Sequence, residues 1–409
     1  MGDDTIGNTT ECDGAPVECR ALLIGPGTTR NKFHACCNGV GCGILSKVSG
    51  LILIPFFIVL LIFFCFYESK VRPGSVMAYV PGFLSLIGVA MLTVSSFYLV
   101  ELSQDYVGFA YPEVGSSVVG RFTIPFREYF RHIEAVYRWV AQPYNKPQFL
   151  LGSFSFSGWW YYYPVAFALK TPVTFLLLTV LAVCGLAYLA KTVKAYSEEE
   201  KKSFFFLLGS FFFVFLFFIV SCRSNLDIGI RYILPVYPFL AVFIAISFFL
   251  LRSHLKRSRQ FLSAVLIACT LGSAVTGIMS FPHYLGYFNP FIGADENADR
   301  YLIDSNLDWG QDLKRLGIWT EQNGIAAIRV VYFGGGDVNY YLGRRVIWGS
   351  EMDLLADFFS GVPGYYAISR HIFRSSSFFL NGGKDFDLSY LKIRRKVSIG
   401  KSLMVFDLE

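Results

Sequence analysis

Charged residues are scarce in this chain. Asp, Glu, Lys and Arg make up 16% of its 409 residues, against roughly 25% in ordinary soluble domains. The net charge of +6 is small for this length. The basic residues lie between apolar runs rather than in one patch with interleaved aromatic residues, so no nucleic-acid partner is expected. Together with a hydrophobic content of 54%, the scarcity of charge predicts an integral membrane protein that carries one soluble domain.

The motifs of several soluble enzyme classes are missing as well. The chain has no H-E-x-x-H zinc motif and no G-x-S-x-G nucleophile turn, so neither a zinc protease nor an α/β-hydrolase is expected. The run Gly334–Asp337 reads GGGD but lacks the G-x-G-x-x-G spacing and the GKS or GKT ending of phosphate loops. It is therefore predicted to be a turn after a strand rather than a nucleotide site.

Long apolar runs fill much of the chain before residue 283. Six of them reach the roughly 18 residues needed to cross a hydrocarbon core, at Ile44–Phe66, Val80–Val100, Thr171–Ala190, Phe204–Ser221, Tyr232–Leu251 and Phe261–Phe281. A soluble chain of this size could not cover six such helices. The runs therefore predict a polytopic α-helical membrane protein with about six transmembrane helices, which form a helical domain at 44–282.

The basic residues between the spans predict the orientation. Loops 67–79, 191–203 and 252–260 hold ten Lys and Arg residues, and loops of this kind stay on the cytoplasmic side of a membrane. The loop at 101–170 and a small α/β domain at 283–409 are then predicted to be extracytoplasmic, at a bacterial inner membrane or a plasma membrane. The basic residues of the N-terminal segment oppose this orientation.

The first 43 residues differ from the rest in composition. They hold five of the nine cysteines and no periodic apolar face. They lack the basic start and apolar run of a secretory signal, and they are predicted to form a disordered tail. A disulfide outside the membrane is one alternative. A metal site is another, although no cysteine pair has the C-x₂-C spacing of a zinc ribbon; its ligands would be His34, Cys36, Cys37 and Cys42.

Two segments of the long loop predict contact with the membrane boundary. Residues 125–140 place apolar and basic side chains on opposite helix faces, which suits a helix lying in the interface or packed on the protein's own helices. Residues Gly158–Pro172 read GWWYYYPVAFALKTP, and the aromatic cluster with Trp159 and Trp160 is typical of the headgroup level. Lys170 lies at the next helix start, where a cation opposes the helix dipole. It is either a phosphate ligand or an ordinary snorkelling lysine.

A second candidate phosphate site lies in the short loop Cys222–Arg231. Arg223 and Arg231 carry planar guanidinium groups that match phosphate oxygens. Asp227 lies between them, so a local ion pair between Asp227 and an arginine, which would tighten the turn, is the alternative interpretation.

From Asp299 onward the pattern changes to that of a soluble α/β unit. The predicted elements are helices at Asp308–Asn323 and Glu351–Phe359, strands at Ile328–Phe333 and Tyr365–Ser369, and a hairpin at 397–406. Asp308 is the predicted N-cap of the first helix. It belongs to a set of aspartates spaced four residues apart, Asp304, Asp308 and Asp312. We expect these to divide between a loop and a helix start, with an open calcium-like site as the alternative.

Four blocks of this sequence, in this order, resemble a known enzyme family. They read GWWYYYPVAFALKTP, SNLDIGIRYILPVYPFL, HYLGYFNPFIGADENADRYLIDSNLDWGQDLKRL and VVYFGGGDVNYYLG. Together they are similar to the C-terminal half of the lipid-carrier-dependent membrane glycosyltransferases of the C-type fold. These enzymes are related to protein O-mannosyltransferases and to lipid A aminoarabinose transferases. The resemblance covers residues 45–409.

The resemblance implies a reaction. Such enzymes transfer a sugar from a polyprenyl phosphate to an acceptor hydroxyl outside the cytoplasm. A carboxylate takes the acceptor proton, and positive groups or a divalent metal ion hold the leaving phosphate. Lys170, Arg223 and Arg231 then become candidate ligands of the lipid phosphate, and Trp159 and Trp160 become candidate walls of a groove for lipid or acceptor. Membrane lipid and a polyprenyl-phosphate-linked sugar are the implied partners, and no nucleotide is bound.

The chain departs from the family pattern at its start. The acidic catalytic motif of the family lies in the first extracytoplasmic loop, with several further spans after it, whereas residues 1–43 show neither. Glu101, Asp105 and Glu113 do not match that motif, so the catalytic residue stays unknown. The resemblance implies that an upstream segment or a partner chain supplies the missing half. The alternative is a catalytically inactive membrane protein of the same descent that binds lipid phosphate or a partner chain.

Overall fold

The computed structural model describes residues 147–409 except 225, 228, 294, 383 and 385, together with residues 88, 131, 134, 135 and 138. The chain divides into two units, Met1–Trp139 and Val140–Glu409. In the first unit, the four described residues within the helix predicted at 125–140 are helical and exposed. The predicted tail at 1–43 and the predicted spans Ile44–Phe66 and Val80–Val100 lie outside the described residues, apart from the helical Gly88.

Four helical stretches of the second unit are long and apolar enough to cross a membrane. They are Val173–Ala195, Glu198–Cys222, Val236–His254 and Lys256–Met279. Each overlaps one predicted span, so four of the six predicted spans are confirmed as apolar helices of sufficient length. Large apolar side chains on their surfaces, such as Phe215, Phe249 and Leu271, are more than half exposed. A surface of this kind suits lipid better than water.

A hairpin and a short helix precede these stretches. The hairpin is β1 (Gln148–Leu150) and β2 (Ser153–Ser155), and the short helix is α1 (Tyr162–Lys170). The α-helical parts of the four stretches are α2 (Val173–Thr192), α3 (Glu198–Cys222), α4 (Val236–His254) and α5 (Arg259–Met279). Pro172 directly precedes α2 and separates it from α1, because proline fits the start of a helix but not its interior. α4 contacts α2, α3 and α5, and α2 also contacts α5.

The chain returns repeatedly to one end of this helix bundle, which we call the domain end. There the Thr171 hydroxyl, just after α1, hydrogen-bonds the Tyr237 hydroxyl in the first turn of α4 at 2.7 Å. Asn289, after α5, donates its backbone N–H to the last turn of α1 at 2.9 Å. At the opposite end, Ser253 Oγ of α4 donates to Glu200 Oε1 of α3 at 2.9 Å. The segment leading from α5 into the C-terminal sheet therefore docks where α1 ends and α4 begins.

The C-terminal part is a three-layer α/β domain. Its five strands are β3 (Ile328–Val331), β4 (Val346–Ile347), β5 (Gly364–Ser369), β6 (Ile393–Ile399) and β7 (Leu403–Leu408). They lie in the order β4-β3-β5-β7-β6. β3 is parallel to β4 and β5, and β7 is antiparallel to β5 and β6. The helices are α6 (Leu313–Gln322), α7 (Val338–Leu342), α8 (Glu351–Phe359) and α9 (Arg370–Asn381).

Alternation along the strands builds a core on each face of this sheet. On β5, Tyr366 belongs to the core that contains Phe358 of α8, whereas its neighbour Ala367 belongs to the core that contains Leu316 of α6. All four side chains are fully buried. Burial of each large apolar side chain contributes about 1.5–3 kcal/mol, so the two cores hold the sheet between its helix layers.

The structure confirms the predicted helix Glu351–Phe359 and places β3 and β5 within two residues of their predicted ends. The predicted hairpin at 397–406 also forms, but its first strand begins four residues earlier, at Ile393, and its second ends at Leu408. The helix predicted from Asp308 begins instead at Leu313, and Asp308 as its N-cap is wrong. Its carboxylate accepts hydrogen bonds from the Gly310 N–H, at 2.9 Å, and from the Ser369 hydroxyl. Those bonds fold a loop before the helix and connect it to the end of β5.

Candidate functional site

Asn289 anchors the segment after α5 to the domain end. It is fully buried, and its side-chain amide donates to the carbonyl oxygens of Ala168 at 2.5 Å and Thr171 at 2.9 Å. Carbonyl groups at the end of a helix have no partner within it. Asn289 therefore caps the C-terminal end of α1, although it is remote from that helix in sequence. Its bonds also fix the path of residues 283–312.

Lys170 holds the same junction together. Its Nζ donates to the carbonyl oxygens of Leu285 at 2.7 Å and Asn306 at 2.5 Å, and it lies 4.2 Å from the ring centre of Phe288. Burial lowers the pKa of Lys170 to about 7, because removal from water penalises the ammonium form. An ammonium group has three N–H donors, and two of them are engaged by the protein's own backbone.

Asn306, from the DSNLDWGQDL run, connects three elements at the domain end. Its Nδ2 donates to the Tyr162 hydroxyl of α1 at 2.8 Å, and its Oδ1 accepts from the Ile230 N–H at 2.9 Å. Its own carbonyl is one of the two that bind Lys170. Asn306 is fully buried, so water does not compete for these bonds. Burial also raises the pKa of Tyr162 well above its ordinary value, which keeps the hydroxyl protonated.

Asp227 ties the loop before α4 to the aromatic cluster before α1. Its Oδ2 accepts from the Trp159 N–H at 2.6 Å, and its own N–H donates to Gln148 Oε1 at 3.0 Å. Gly158 is required beside it, because φ is +69° and a Cβ atom would lie 2.5 Å from Oδ2. The buried Oδ1 has no hydrogen-bond partner among the described residues. Burial raises the pKa of Asp227 to about 7, although the Trp159 N–H opposes the shift.

Arg231 meets the DSNLDWGQDL run through an aromatic ring. Its guanidinium carbon lies 4.8 Å from the ring centre of Trp309 and 5.4 Å from that of Tyr232, a geometry of cation–π attraction. Lys170 and Arg231, both predicted phosphate ligands, are therefore brought to the same segment, at Asn306 and Trp309.

The other predicted site residues differ in exposure. Trp159 is half-buried beside Asp227. Trp160 is 73% exposed, with its ring edge-on to Tyr161 at 5.5 Å between centres. Arg223 is exposed at the C-cap of α3. The structure thus draws Lys170, Trp159 and Arg231 into the packed junction and leaves Trp160 and Arg223 on the surface.

A cavity of about 420 Å³ opens beside this junction, between the start of α2 and the end of α5. We call it the boundary cavity. Its lining consists of Val173, Thr174, Thr276, Met279, Ser280, His283, Tyr287, Phe288, Pro290 and Lys401. Phe288 lines the cavity, and the Lys170 ammonium lies over the same ring. His283 and Lys401 supply its basic groups, so the cavity combines apolar walls with positive charge where the apolar helices end.

Lys401 reaches the boundary cavity from the turn between β6 and β7. The fully buried carboxylate of Asp312 accepts the backbone N–H groups of Lys401 and Ser402, both at 3.0 Å. Gly400 precedes them with φ +60°, and any side chain there would collide with that carboxylate. Asp312 therefore fixes the turn and, through it, the position of the Lys401 side chain.

The three aspartates at four-residue spacing have separate partners. Asp304 lies in a short 3-10 turn and donates its N–H to His371 Nδ1 at 2.8 Å. Asp308 binds Ser369, and Asp312 binds the hairpin turn. They divide among a turn, a loop and a helix start, as predicted. Within the described part of the chain, no group of three His, Cys, Asp or Glu side chains is placed to hold a metal ion, so nothing favours the calcium-like alternative.

Several residues that build the site are not singled out by the sequence pattern. Asn289 and Asn306 follow apolar or aromatic runs, and a buried amide must find partners, which is the signal that could have identified them. His283 and Lys401 lie at opposite ends of the C-terminal region and come together only through the Asp312 contact and the hairpin. No local spacing predicts that pair.

Comparison with known proteins gives no further guide to the site. No family model, no curated protein and no solved structure matches the chain. A functional proposal therefore depends on the site geometry and on the four quoted sequence blocks.

Proposed function

We propose that this chain is a membrane glycosyltransferase, or the C-terminal half of one, that moves a sugar from a polyprenyl phosphate to an acceptor hydroxyl. The boundary cavity is the observation that supports the proposal most directly. Its apolar walls suit a lipid chain, and His283 and Lys401 suit the phosphate that ends it. Lys170, Arg231 and Trp309 come from the blocks that resemble glycosyltransferases, and all three lie at the same end of the helices.

The distribution of basic residues supports an extracytoplasmic reaction. The end opposite to the domain end carries Lys191, Lys194, Lys201, Lys202, Arg252, Lys256, Arg257 and Arg259. Short loops rich in Lys and Arg remain on the cytoplasmic side. The domain end, the boundary cavity and the α/β domain then face outward, where no nucleotide sugar is available and a lipid-linked donor is needed.

The cations of the site serve the leaving group in this proposal. The acceptor oxygen forms a bond to the anomeric carbon, the bond from that carbon to the phosphate oxygen breaks, and the phosphate keeps the electron pair. Fixed positive groups that meet this developing charge lower the barrier. Lys401, His283 and Arg231 are the candidates. A carboxylate takes the proton of the acceptor hydroxyl in this proposal, and the resemblance places it in the first extracytoplasmic loop of such enzymes; no residue of this chain is assigned to that role.

Lys401→Gln tests the proposal. Glutamine keeps the Cβ and Cγ atoms that pack on Gly286, and the backbone bond to Asp312 is unaffected. We expect the full chain in lipid nanodiscs to bind a polyprenyl phosphate about tenfold more weakly, the size of one hydrogen bond to a charged group. The corresponding polyprenol, which lacks phosphate, should bind wild type and variant equally. Lys392→Gln, an exposed change on the same domain, is the control.

Equal polyprenyl phosphate affinity in the Lys401→Gln and wild-type chains would remove the boundary cavity from the proposal. Sugar transfer from the lipid-linked donor is measured on the same samples. Binding that depends on Lys401 with no transfer, even when an upstream half is supplied, would favour the second candidate. That candidate is a catalytically inactive lipid-phosphate-binding protein of the same descent, which the same cavity supports because binding needs no catalytic carboxylate.

A further inference from the structure

The GGGD turn, Gly334–Asp337, follows β3 and packs directly on the loop that carries Trp309. The φ angle of Gly334 is +137°, which residues with a side chain rarely adopt. A Cβ atom at Gly334 would overlap the carbonyl group of Trp309 and would lie 2.5 Å from the backbone nitrogen of Gly310. The backbone of the turn therefore lies against the backbone of the loop, with no room for a side chain between them.

Further contacts fix both sides of this backbone packing. Beside the turn, the Tyr332 hydroxyl donates to the Gly336 carbonyl oxygen. In the loop, the Trp309 N–H donates to Gln311 Oε1 at 2.7 Å. The rings of Trp309 and Phe333 meet edge to face, with their centres 5.4 Å apart and their planes at 72°. The protein itself therefore sets both the position and the orientation of the Trp309 indole.

Trp309 in turn holds the guanidinium group of Arg231. The guanidinium carbon lies 4.8 Å from the Trp309 ring centre, and cation–π attraction is strongest for indole. The backbone next to Arg231 is held separately, because the Ile230 N–H donates to Asn306 Oδ1 at 2.9 Å. Asn306 therefore fixes the base of the Arg231 side chain, and Trp309 fixes its tip.

A fixed guanidinium group is what recognition of a phosphate group needs. Its planar fork binds phosphate oxygens in pairs only in a defined orientation, and a side chain as long as arginine otherwise samples several rotamers. Ordering the group before the ligand arrives reduces the entropy lost on binding. We propose that Trp309 and Gly334 are positioning residues that orient Arg231 toward the phosphate of the lipid-linked donor. Their role rests on the proposed function, in which Arg231 is a candidate ligand of that phosphate.

A double-mutant cycle tests this positioning role. Wild type, Arg231→Gln, Trp309→Leu and the double variant, each as the full chain in lipid nanodiscs, are titrated with a polyprenyl phosphate. We expect about tenfold weaker binding for Arg231→Gln, which loses a charged hydrogen bond, and about threefold for Trp309→Leu, which loses the cation–π contact. The double variant should bind no more weakly than Arg231→Gln, because Trp309 acts through that side chain. Trp309→Phe keeps a ring beside the guanidinium group and should recover most of the affinity.

Two controls separate positioning from a general loss of structure. The corresponding polyprenol, which lacks phosphate, should bind all of these chains equally, whereas a disordered junction would weaken its binding too. Gly334→Ala should weaken polyprenyl phosphate binding as Trp309→Leu does, because it displaces the Trp309 backbone. Gly335→Ala in the same turn is the matched control, since a Cβ atom there meets nothing within 4 Å. If Gly334→Ala does not fold, the Trp309 cycle alone decides.

The outcomes that overturn the positioning role can be told apart from failure of the proposed function. Unchanged polyprenyl phosphate affinity in Trp309→Leu, with weaker binding in Arg231→Gln, removes Trp309 and leaves the proposed function intact. A further loss in the double variant means that Trp309 acts on the lipid by another route than Arg231. Unchanged affinity in Arg231→Gln removes Arg231 and its positioning residues together, and the Lys401→Gln result then decides whether the proposed function stands.

Discussion

Lys170 illustrates how a cation that the sequence marks for ligand binding can be used by the fold. Its ammonium group donates to the backbone at Leu285 and Asn306, two positions of the segment that leads from the helices to the sheet. The prediction that Lys170 lies at a helix start is wrong, because it is the last residue of α1, where a cation is favourable for the helix dipole. The carbonyl groups of Leu285 and Asn306 stabilise the ammonium group further, because each accepts a hydrogen bond from it.

Lys170→Met separates a structural role from a ligand role. The substitution leaves two carbonyls without their donor, at roughly 1–3 kcal/mol each. We expect the unfolding temperature of the lipid-free chain in detergent to fall by roughly 5 °C or more. Lys194→Met, an exposed change at the opposite end, should leave it unchanged. An unaltered unfolding temperature together with loss of polyprenyl phosphate binding would instead assign Lys170 to the ligand.

Asp227 should make stability depend on pH in a defined window. Its pKa is raised by burial from 3.8 to about 7, so between these values the folded chain holds a proton that the unfolded chain has released. Stability then falls as pH rises from about 4 to 7 and changes no further above that. Asp227→Asn carries no charge, so its unfolding temperature relative to wild type should rise across the same window. Parallel curves for the two chains from pH 4.5 to 7.5 would mean that Asp227 is ionised throughout.

At the scale of elements, apolar runs and strand alternation predict most of what forms. The helix Glu351–Phe359 is confirmed because Ser350 caps it by accepting from the Asp353 N–H at 3.1 Å and its apolar face packs on the sheet. Four predicted spans are confirmed as long apolar helices, because the hydropathy of these segments favours no other secondary structure. In these segments, local preference and tertiary packing favour the same conformation.

Elements that depend on remote partners are not predictable in this way. The sequence of α9 contains three consecutive serines, which weaken helix propensity, yet a helix forms because Ser369 caps it and its two arginines bind Asp299. β4 is only two residues long and exists through its parallel pairing with β3. The Asp308 carboxylate looks like a helix cap in sequence but bonds to Ser369, 61 residues away.

The candidate site also depends on contacts between residues that are remote in sequence. Arg231 and Lys170 carry a local signal, namely a cation beside an apolar run. What brings them to one segment is a set of buried bonds from Asn289 and Asn306, whose partners lie more than 70 residues away in sequence. A side-chain amide can bond any exposed carbonyl or N–H, so spacing alone does not identify its partner. The sequence therefore predicts Arg231 and Lys170 as candidate site residues, but it does not predict that both lie against the same segment.

At the scale of the whole molecule, the second unit places the boundary cavity and the α/β domain at the same end of its apolar helices. The boundary cavity lies where α2 begins and α5 ends, and Lys401 of the α/β domain also lines it. Asp312 and Asn289 fix the path between helices and sheet. The boundary cavity and the α/β domain therefore lie on the same side of the membrane, either both extracytoplasmic or both cytoplasmic.

The proposed reaction depends most on the orientation of the protein in the membrane, because orientation decides which side the boundary cavity faces. Lys392→Cys places a thiol on the α/β domain, and Lys194→Cys places one at the opposite end of the helices; both positions are exposed. We expect a membrane-impermeant maleimide to label Lys392→Cys in intact cells, above the level of the unsubstituted chain, and to label Lys194→Cys only after permeabilisation. The basic loops at the Lys194 end are the reason, since they resist translocation. Labelling of Lys194→Cys alone in intact cells would place the boundary cavity in the cytoplasm, where nucleotide sugars are available and a lipid-linked donor gives no advantage.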